Sequence, residues 1–152
     1  MPASTLKLKL QSDMKSSMKA GDKARLSVIR LMLAAINQIE VDERIELDDS
    51  RITAVLDRMT KQRRESIEHF SRASRDDLIA IEEYELKIIR EYLPEPLSEA
   101  EINTLVEQSI QTSGASSIKD MGRVMGLLKP RLQGRADMKK VSQLIKSRLD
   151  KA

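Results

Sequence analysis

Few side chains in this 152-residue chain are suited to acid–base or metal chemistry. His69 is the only histidine and there is no cysteine, so a metal shell of imidazole or thiolate ligands cannot be completed. We expect His69 to be an exposed or partly buried side chain beside Phe70 on a helix. The sequence predicts neither a metal site nor a cofactor.

Adjacent carboxylates occur at Asp48–Asp49, Asp76–Asp77 and Glu82–Glu83. Neighbours on a helix do not face each other, and the first two pairs lie where predicted helices begin, a position that favours negative charge. The sequence also lacks a Gly-x-x-x-x-Gly-Lys phosphate loop, a Gly-x-Ser-x-Gly nucleophile turn and an amidase-like serine–lysine arrangement among glycines. We therefore predict no catalytic residue and no catalysis by this chain alone.

Basic residues are concentrated near the carboxyl terminus. Residues 115–152 contain ten Lys or Arg and three Asp, a net charge of +7, whereas the preceding residues carry −4. At about 100° per residue, the apolar residues from Ile118 to Leu132 share one side of a helix and leave two glycines side by side at its edge. With the cations around these glycines, the candidate RNA-binding set is Lys119, Gly122, Arg123, Gly126, Lys129, Arg131, Arg135, Lys139 and Lys140.

The two glycines, Gly122 and Gly126, allow two interpretations. A surface without side chains lets an RNA backbone approach while nearby cations meet its phosphates. Alternatively, the glycines permit a neighbouring helix to pack closely. No aromatic residue follows Tyr92, so stacking on single-stranded bases is not expected, and recognition of the shape and backbone of a folded RNA remains.

A weaker second basic patch is formed by Arg58, Lys61, Arg63 and Arg64. Asp57 and Glu65 lie at helical pairing distance from Lys61, and Glu68 lies at that distance from Arg64. These spacings favour a solvent-exposed helix face crossed by ion pairs over a binding site.

The elements that would position these residues are predicted to be helices. Aromatic residues make up only 2% of the chain, and apolar residues repeat at helical spacing. Four helices are expected before residue 94, with apolar faces from Leu6 to Met18, from Leu26 to Ile36, from Ile52 to Phe70, and from Leu78 through Ile81 to Tyr92. Gly21 ends the first of these helices, Asp22 can cap the second, and Asp48, Asp49 and Ser50 offer capping side chains for the third. The fourth begins near Ser74.

A domain boundary is predicted at Pro94 and Pro96, which remove backbone donors and disfavour helix before them. Ser98 and Glu101 then have capping-box spacing, and Leu97 and Ile102 occupy the positions of a hydrophobic staple. Three more helices follow: one ending at Gly114, one from Ser117 to Leu132, and one capped by Asp137. The predicted fold is all-α, with an N-terminal bundle of about four helices in residues 1–93 and a three-helix domain in residues 97–152.

The sequence shows no apolar stretch of signal-peptide or membrane-spanning length. The longest apolar run, from Leu31 to Ile36, is far shorter than either. We therefore expect a cytoplasmic protein without a membrane partner.

Several motifs together resemble the YqeY-like family. They are Lys119-Asp120-Met121-Gly122-Arg123-Val124-Met125-Gly126, Gly134-Arg135-Ala136-Asp137, and further upstream Asp22–Ser27, Lys61–Ser66 and Glu91–Pro94. That family shares its carboxyl-terminal GatB/YqeY module with the tail of the B subunit of the glutamyl- or aspartyl-tRNA amidotransferase. The resemblance covers nearly the whole chain.

The resemblance implies an amino-terminal helical part joined to a three-helix domain like the amidotransferase tail. In the amidotransferase, the tail is understood to contact the tRNA body while other domains and subunits perform the chemistry. A carbon–nitrogen ligase activity with glutamine as amido donor would thus belong to the larger enzyme. The expected function is a non-catalytic tRNA-binding or amidotransferase-associated accessory, and the alternative is a protein–protein adaptor unrelated to RNA. The expected partners are tRNA and, beside it, amidotransferase subunits or an aminoacyl-tRNA synthetase, but not DNA.

Overall fold

The computed structural model describes residues 4–150, most of which lie in seven α-helices. In chain order these are α1 (Thr5–Ala20), α2 (Lys23–Glu43), α3 (Asp49–Arg72), α4 (Asp76–Arg90), α5 (Glu99–Ser113), α6 (Met121–Leu132) and α7 (Met138–Asp150). A short 3₁₀ turn, Ile118–Asp120, precedes α6. No strand occurs among residues 4–150, so the predicted all-helical fold class is confirmed.

The chain divides into two compact units, Met1–Pro94 and Glu95–Ala152. Helices α1 to α4 belong to the first unit, and α5 to α7 belong to the second. No helix in the described range is both long and apolar enough to cross a membrane.

The first unit is held together by an aliphatic core to which all four of its helices contribute. Its fully buried side chains are Leu10, Ile29, Met32, Ile36, Ile52, Leu56 and Ile89. The caps of α1 and α2 follow the predictions, and of the three candidate caps for α3 it is Asp48 that is used. The left-handed Gly21 (φ 71°) ends α1, while Asp22 and Asp48 accept the backbone N–H groups of Arg25 and Arg51 at 3.1 and 2.8 Å.

Two predicted core positions in the first unit are wrong. Met18 is 53% exposed because a four-residue repeat drifts by about 40° per step, so that Met18 lies about 120° around α1 from Leu6. Ser17 is buried on that turn instead. Ile81 is 56% exposed, and the buried residues of α4, Ile88 and Ile89, lie only in the second half of the helix.

Helix α4 also begins slightly later than predicted. Ser74 lies in the left-handed region (φ 54°), which interrupts the chain before the helix starts at Asp76. The helix predicted from Ser117 to Leu132 is likewise not continuous. Residues 118–120 form the 3₁₀ turn, and the Asp120 carboxylate accepts the N–H groups of Ser116 and Ser117 there, at 2.9 and 3.3 Å.

The second unit starts as the sequence predicts. The Ser98 hydroxyl accepts the Glu101 N–H at 3.1 Å, and the Glu101 carboxylate accepts the Ser98 N–H at 3.4 Å, which completes the capping box. Leu97 and Ile102 both pack against the core of this unit. The buried side chains of that core are Val106, Val124, Leu128, Leu132, Val141, Ile145 and Leu149.

Candidate nucleic-acid interface

The two glycines of α6 lie on an open surface. Val124, Leu128 and Leu132 turn the opposite side of the helix into the core, and Gly122 and Gly126 are exposed. A methyl group on either glycine would meet no neighbouring heavy atom within 4 Å. Among residues 4–150, therefore, no second helix packs on these glycines, and the packing interpretation does not hold within this chain.

Pro130 extends the same surface, a feature that was not predicted from the sequence. It lies inside α6 and is exposed, and it follows Gly126 by four residues, about 40° around the helix. Proline has no N–H, so the helical hydrogen bond from residue 130 to the Gly126 carbonyl cannot form. Gly122, Gly126 and Pro130, which we call the bare strip, thus expose backbone with little side-chain cover.

Four lysines of the candidate set are exposed: Lys119 before α6, Lys129 on α6, and Lys139 and Lys140 on α7. None of them forms an ion pair with another residue in the range 4–150. Lys129 projects about 20° around α6 from Gly122, so it borders the bare strip directly. These side chains are available to an anion in solution.

Two arginines of the set have structural roles. Arg123 donates from Nη1 to the Ser113 carbonyl at the end of α5 (2.9 Å) and from Nη2 to Asp120 (3.2 Å). Arg135 donates from Nε to the Glu95 carbonyl at 3.1 Å. Replacing either arginine would therefore disturb the fold of the second unit as well as any contact with RNA.

Arg131 lies apart from the bare strip. It projects about 180° around α6 from Gly122 and lines a groove of about 350 Å³ with residues of α5, including Gln108 and Thr112. The helix geometry thus brings Lys129 to the strip and places Arg131 on another side of α6, while Lys119 lies in the 3₁₀ turn just before the helix.

Arg63 and Arg64, of the weaker patch, face α4. Arg63 donates from Nε to Glu85 at 3.2 Å. The Arg63 side chain is 15% exposed and the Glu85 side chain is 20% exposed, so the pair is largely buried. Burial, together with the neighbouring charge of Arg64, lowers the pKa of Arg90 on α4. Residue spacing indicates only partners on the same helix, and it misses this pairing between helices because only the fold brings Glu85 to Arg63.

The structure adds no candidate for metal chemistry. In the described range, no group of three or more His, Asp or Glu side chains is arranged to hold a metal ion. His69 is exposed on α3, in agreement with the prediction.

Comparison with known proteins gives a consistent family match. The model of a family described as "Yqey-like protein" matches residues 7–149. Curated relatives from three fungi are each named "Altered inheritance of mitochondria protein 41, mitochondrial". The relative from Pyrenophora tritici-repentis is 29% identical over 95% of this chain and 81% of its own length.

The other two relatives are matched over a smaller share. The Lachancea thermotolerans protein is 35% identical over 73% of this chain and 63% of its own length, and the Vanderwaltozyma polyspora protein is 33% identical over 75% and 65%. The chain thus spans less than two thirds of these two relatives. Their shared name refers to mitochondrial inheritance and not to an enzymatic reaction.

These names contradict the predicted cytoplasmic location. The relatives are named as mitochondrial proteins, which conflicts with a purely cytoplasmic assignment. The prediction rested on the lack of an apolar leader, and that criterion was the wrong one. Mitochondrial transit peptides are amphipathic and rich in Arg and Ser, so an apolar leader is not their mark.

Proposed function

The chain belongs to the YqeY-like family, and from that premise we propose that it is a non-catalytic accessory protein that binds tRNA through its second unit. The observation that supports this proposal best is the bare strip of Gly122, Gly126 and Pro130 beside the exposed, unpaired Lys129, in a unit that carries further exposed lysines. The family's resemblance to the tail of the tRNA amidotransferase B subunit gives the RNA class. Amidotransferase subunits or an aminoacyl-tRNA synthetase are the protein partners that fit this role.

The proposed contact works through the RNA backbone. The bare strip permits a sugar–phosphate chain to approach α6 closely, and Lys119, Lys129 and Lys139 then neutralise phosphates. Because this recognition depends on shape and charge, it needs none of the aromatic side chains that the second unit lacks.

The test is tRNA binding by the full chain as a function of salt. Each neutralised phosphate releases condensed counterions, so affinity must fall as salt rises from about 50 mM. The triple variant Lys119→Gln, Lys129→Gln and Lys139→Gln should reduce the salt slope by roughly one unit for each phosphate that is no longer neutralised. These lysines are preferable to Arg123 and Arg135 because their side chains hold no part of the fold in the described structure.

A matched control is available in the first unit. Lys15, Lys19 and Lys23 are also exposed and form no ion pair among residues 4–150. Their replacement by Gln removes the same charge and should leave the slope nearly unchanged. Undetectable tRNA binding at about 50 mM salt, or an equal reduction of affinity in the two triple variants, would rule out the second unit as the RNA site.

The absence of catalysis is tested separately. The pure chain, mixed with glutamine, ATP and misacylated tRNA, should release no glutamate and form no amide, because the sequence shows neither a nucleophile motif nor a phosphate-binding loop. Turnover that disappears on replacing a single residue of this chain would establish an enzyme instead.

An adaptor that binds another protein is the second candidate function. One side of α2 supports it, where Leu31, Ala34 and Val41 are exposed and Lys23, Leu31 and Ala34 line a shallow groove of about 650 Å³. Co-purification of partners with the full chain, with and without ribonuclease treatment, distinguishes the two functions. A partner protein that survives this treatment but no longer co-purifies with Val41→Lys would favour the adaptor, and removal of all partners with the RNA would favour tRNA binding.

A further inference from the structure

A small pocket opens in the second unit, lined by residues of α5 and α7 and by Asp137 just before α7. Its volume is about 290 Å³, and it lies between the first turns of α5 and α7. Since a cavity of about 150 Å³ accommodates one benzene ring, a pocket of this size holds a ligand of roughly ten to twelve non-hydrogen atoms. Residue spacing does not predict it, because it forms only where two separate helices begin side by side.

One part of the pocket wall is aliphatic. Ile102 of α5 and Val141 and Leu144 of α7 line it. Val141 is 2% exposed, and the other two are partly buried and pack against the core of the unit. This wall is therefore fixed by the fold and suits an apolar side group.

The remaining wall carries charges of both signs. Glu99 and Asp137 contribute carboxylates, Lys140 contributes an ammonium group, and Asn103 contributes an amide. Among the described residues, neither Glu99 nor Lys140 forms an ion pair. Opposite charges thus line the same pocket without neutralising each other.

The other two polar groups are only partly used by the fold. Asp137 accepts the Lys139 N–H through Oδ1 at 3.0 Å, which leaves its second oxygen for a ligand. Asn103 accepts from Arg148 Nη2 through Oδ1 at 3.3 Å, which leaves its two amide N–H donors.

We propose that this pocket binds an apolar amino-acid residue with a free α-ammonium group. This chemistry is shared by a free apolar amino acid and by the amino-terminal residue of a peptide. The ammonium group meets the Glu99 and Asp137 carboxylates, and the apolar side chain lies on Ile102, Val141 and Leu144. Lys140 and the Asn103 amide receive the ligand's carboxylate or carbonyl oxygen. Although the first turns of helices favour anions, two carboxylates against one ammonium give this pocket a net negative charge, which disfavours a purely anionic ligand such as a nucleotide phosphate.

The experiment is an NMR titration of the full chain, followed through the methyl signals of Ile102, Val141 and Leu144. The ligands are L-leucine, leucinamide, N-acetyl-leucine and adenosine monophosphate, each up to about 100 mM. A ligand of about nine non-hydrogen atoms that gains about 0.3 kcal/mol per atom has a Kd of about 10 mM, so this range should saturate the pocket. Leucine or leucinamide should shift these signals saturably, and N-acetyl-leucine should bind at least about tenfold more weakly because it has no ammonium group.

The carboxylate of the ligand distinguishes a free amino acid from a peptide amino terminus, because leucine has this group and leucinamide does not. Tighter binding of leucine, abolished by Lys140→Ala, identifies a free amino acid. Equal or tighter binding of leucinamide identifies a peptide amino terminus. Either result supports the pocket, whereas no shift with either amine, equal binding of N-acetyl-leucine, or binding of adenosine monophosphate in place of leucine overturns it.

Variants identify the ammonium site. Glu99→Gln should raise the Kd for leucinamide about tenfold, while Glu95→Gln, which removes an exposed carboxylate outside the pocket, should not change it. Lys146→Ala on the same helix is the corresponding control for Lys140→Ala. Because no RNA is present, failure of this titration leaves the tRNA proposal untouched, and failure of tRNA binding leaves the pocket untouched.

Discussion

Tyr92 joins α1 and α2 to the segment that follows α4. Its side chain is 4% exposed, its hydroxyl donates to the Asp13 carboxylate, and Arg25 of α2 interacts with the same hydroxyl. Lys9 Nζ lies 5.2 Å from the centre of the ring. Burial and the neighbouring Asp13 raise the pKa of Tyr92, so its phenol stays protonated and remains a donor.

Tyr92→Phe should therefore destabilise the first unit. The variant keeps the ring but leaves Asp13 and Arg25 without the hydroxyl, at a cost of about 1–2 kcal/mol in the free energy of unfolding. Urea unfolding measures this loss. Tyr84→Phe, at a tyrosine that is 36% exposed, is the control, and equal midpoints for the two variants would contradict the role given to Tyr92.

Asp49 joins the amino-terminal ends of α1 and α3. Its carboxylate accepts the Ser4 hydroxyl and, at 3.0 Å, the Leu6 N–H. The Ser4 hydroxyl first, and then the Leu6 N–H, hold the pKa of Asp49 below its ordinary value. A lowered pKa in the folded state stabilises the fold above the ordinary value of about 4, and this stabilisation is lost as the pH falls through the folded-state pKa.

The pH dependence of Asp49→Asn tests this role. At pH 7 the variant should unfold at lower urea, because a neutral amide accepts these hydrogen bonds less strongly than a carboxylate. Between about pH 5 and pH 3 the wild type should lose stability more steeply, so that the two curves converge. Parallel curves over that range would show that Asp49 does not contribute in this way.

At the scale of elements, the second unit has glycines inside a helix, as in α6, and glycines that end a helix, as at the end of α5. Gly126 lies inside α6 in open space, whereas Gly114, also in open space, ends α5 with φ +70°. Glycine inside a helix costs stability relative to alanine, while a left-handed position favours glycine. The two positions therefore respond in opposite directions to the same substitution.

Gly126→Ala should stabilise the chain by about 0.5–1 kcal/mol, and Gly114→Ala should destabilise it by about 1 kcal/mol or more. Thermal unfolding measures both changes. A destabilised Gly126→Ala would mean that another element covers the bare strip. If the proposed RNA contact is correct, a bulky residue at position 126 should weaken tRNA binding without lowering the melting temperature.

The helices could be predicted from the sequence because their signals are local. Caps such as Asp22, Asp48 and Ser98 act within one turn, so their positions follow from neighbouring residues. Contacts between helices are different. The Arg63–Glu85 pair, and the hydrogen bonds of Arg123 and Arg135 to backbone carbonyls, depend on packing that residue spacing does not encode.

The same distinction explains the candidate site. Residue spacing predicted that Gly122, Gly126 and Lys129 share one region of α6, since one helix fixes their relation. Whether a neighbour covers that region is a tertiary question, and only the structure shows it open. The pocket between α5 and α7 could not be predicted from the sequence for the same reason.

Over the whole molecule, the distribution of charge is more complex than a division into an acidic and a basic part. Residues 1–31 contain seven Lys or Arg and two Asp, a net charge of +5, which the total net charge of −4 for residues 1–114 conceals. Lys7 is held by Glu40 at 2.6 Å, but Lys15, Lys19 and Lys23 are exposed. The first unit thus has exposed lysines of its own, and the triple variant of Lys15, Lys19 and Lys23 controls for the loss of their charge in the tRNA measurements.

The second unit, residues 95–152, should fold without the first. Its core is its own, and its amino-terminal end is fastened within the unit, because the Leu97 N–H donates to the Arg135 carbonyl at 2.8 Å and Arg135 donates to the Glu95 carbonyl at 3.1 Å. A fragment of residues 95–152 should show a helical circular dichroism spectrum and a cooperative melt, although a unit of this size is only marginally stable. A fragment of residues 98–152 keeps the Ser98 hydroxyl as the cap of α5 but lacks both hydrogen bonds and the packing of Leu97, so it should lose about 2 kcal/mol or unfold. Coil-like spectra for both fragments in dilute buffer would show that the second unit needs the first, and equal melting temperatures would show that residues 95–97 contribute nothing.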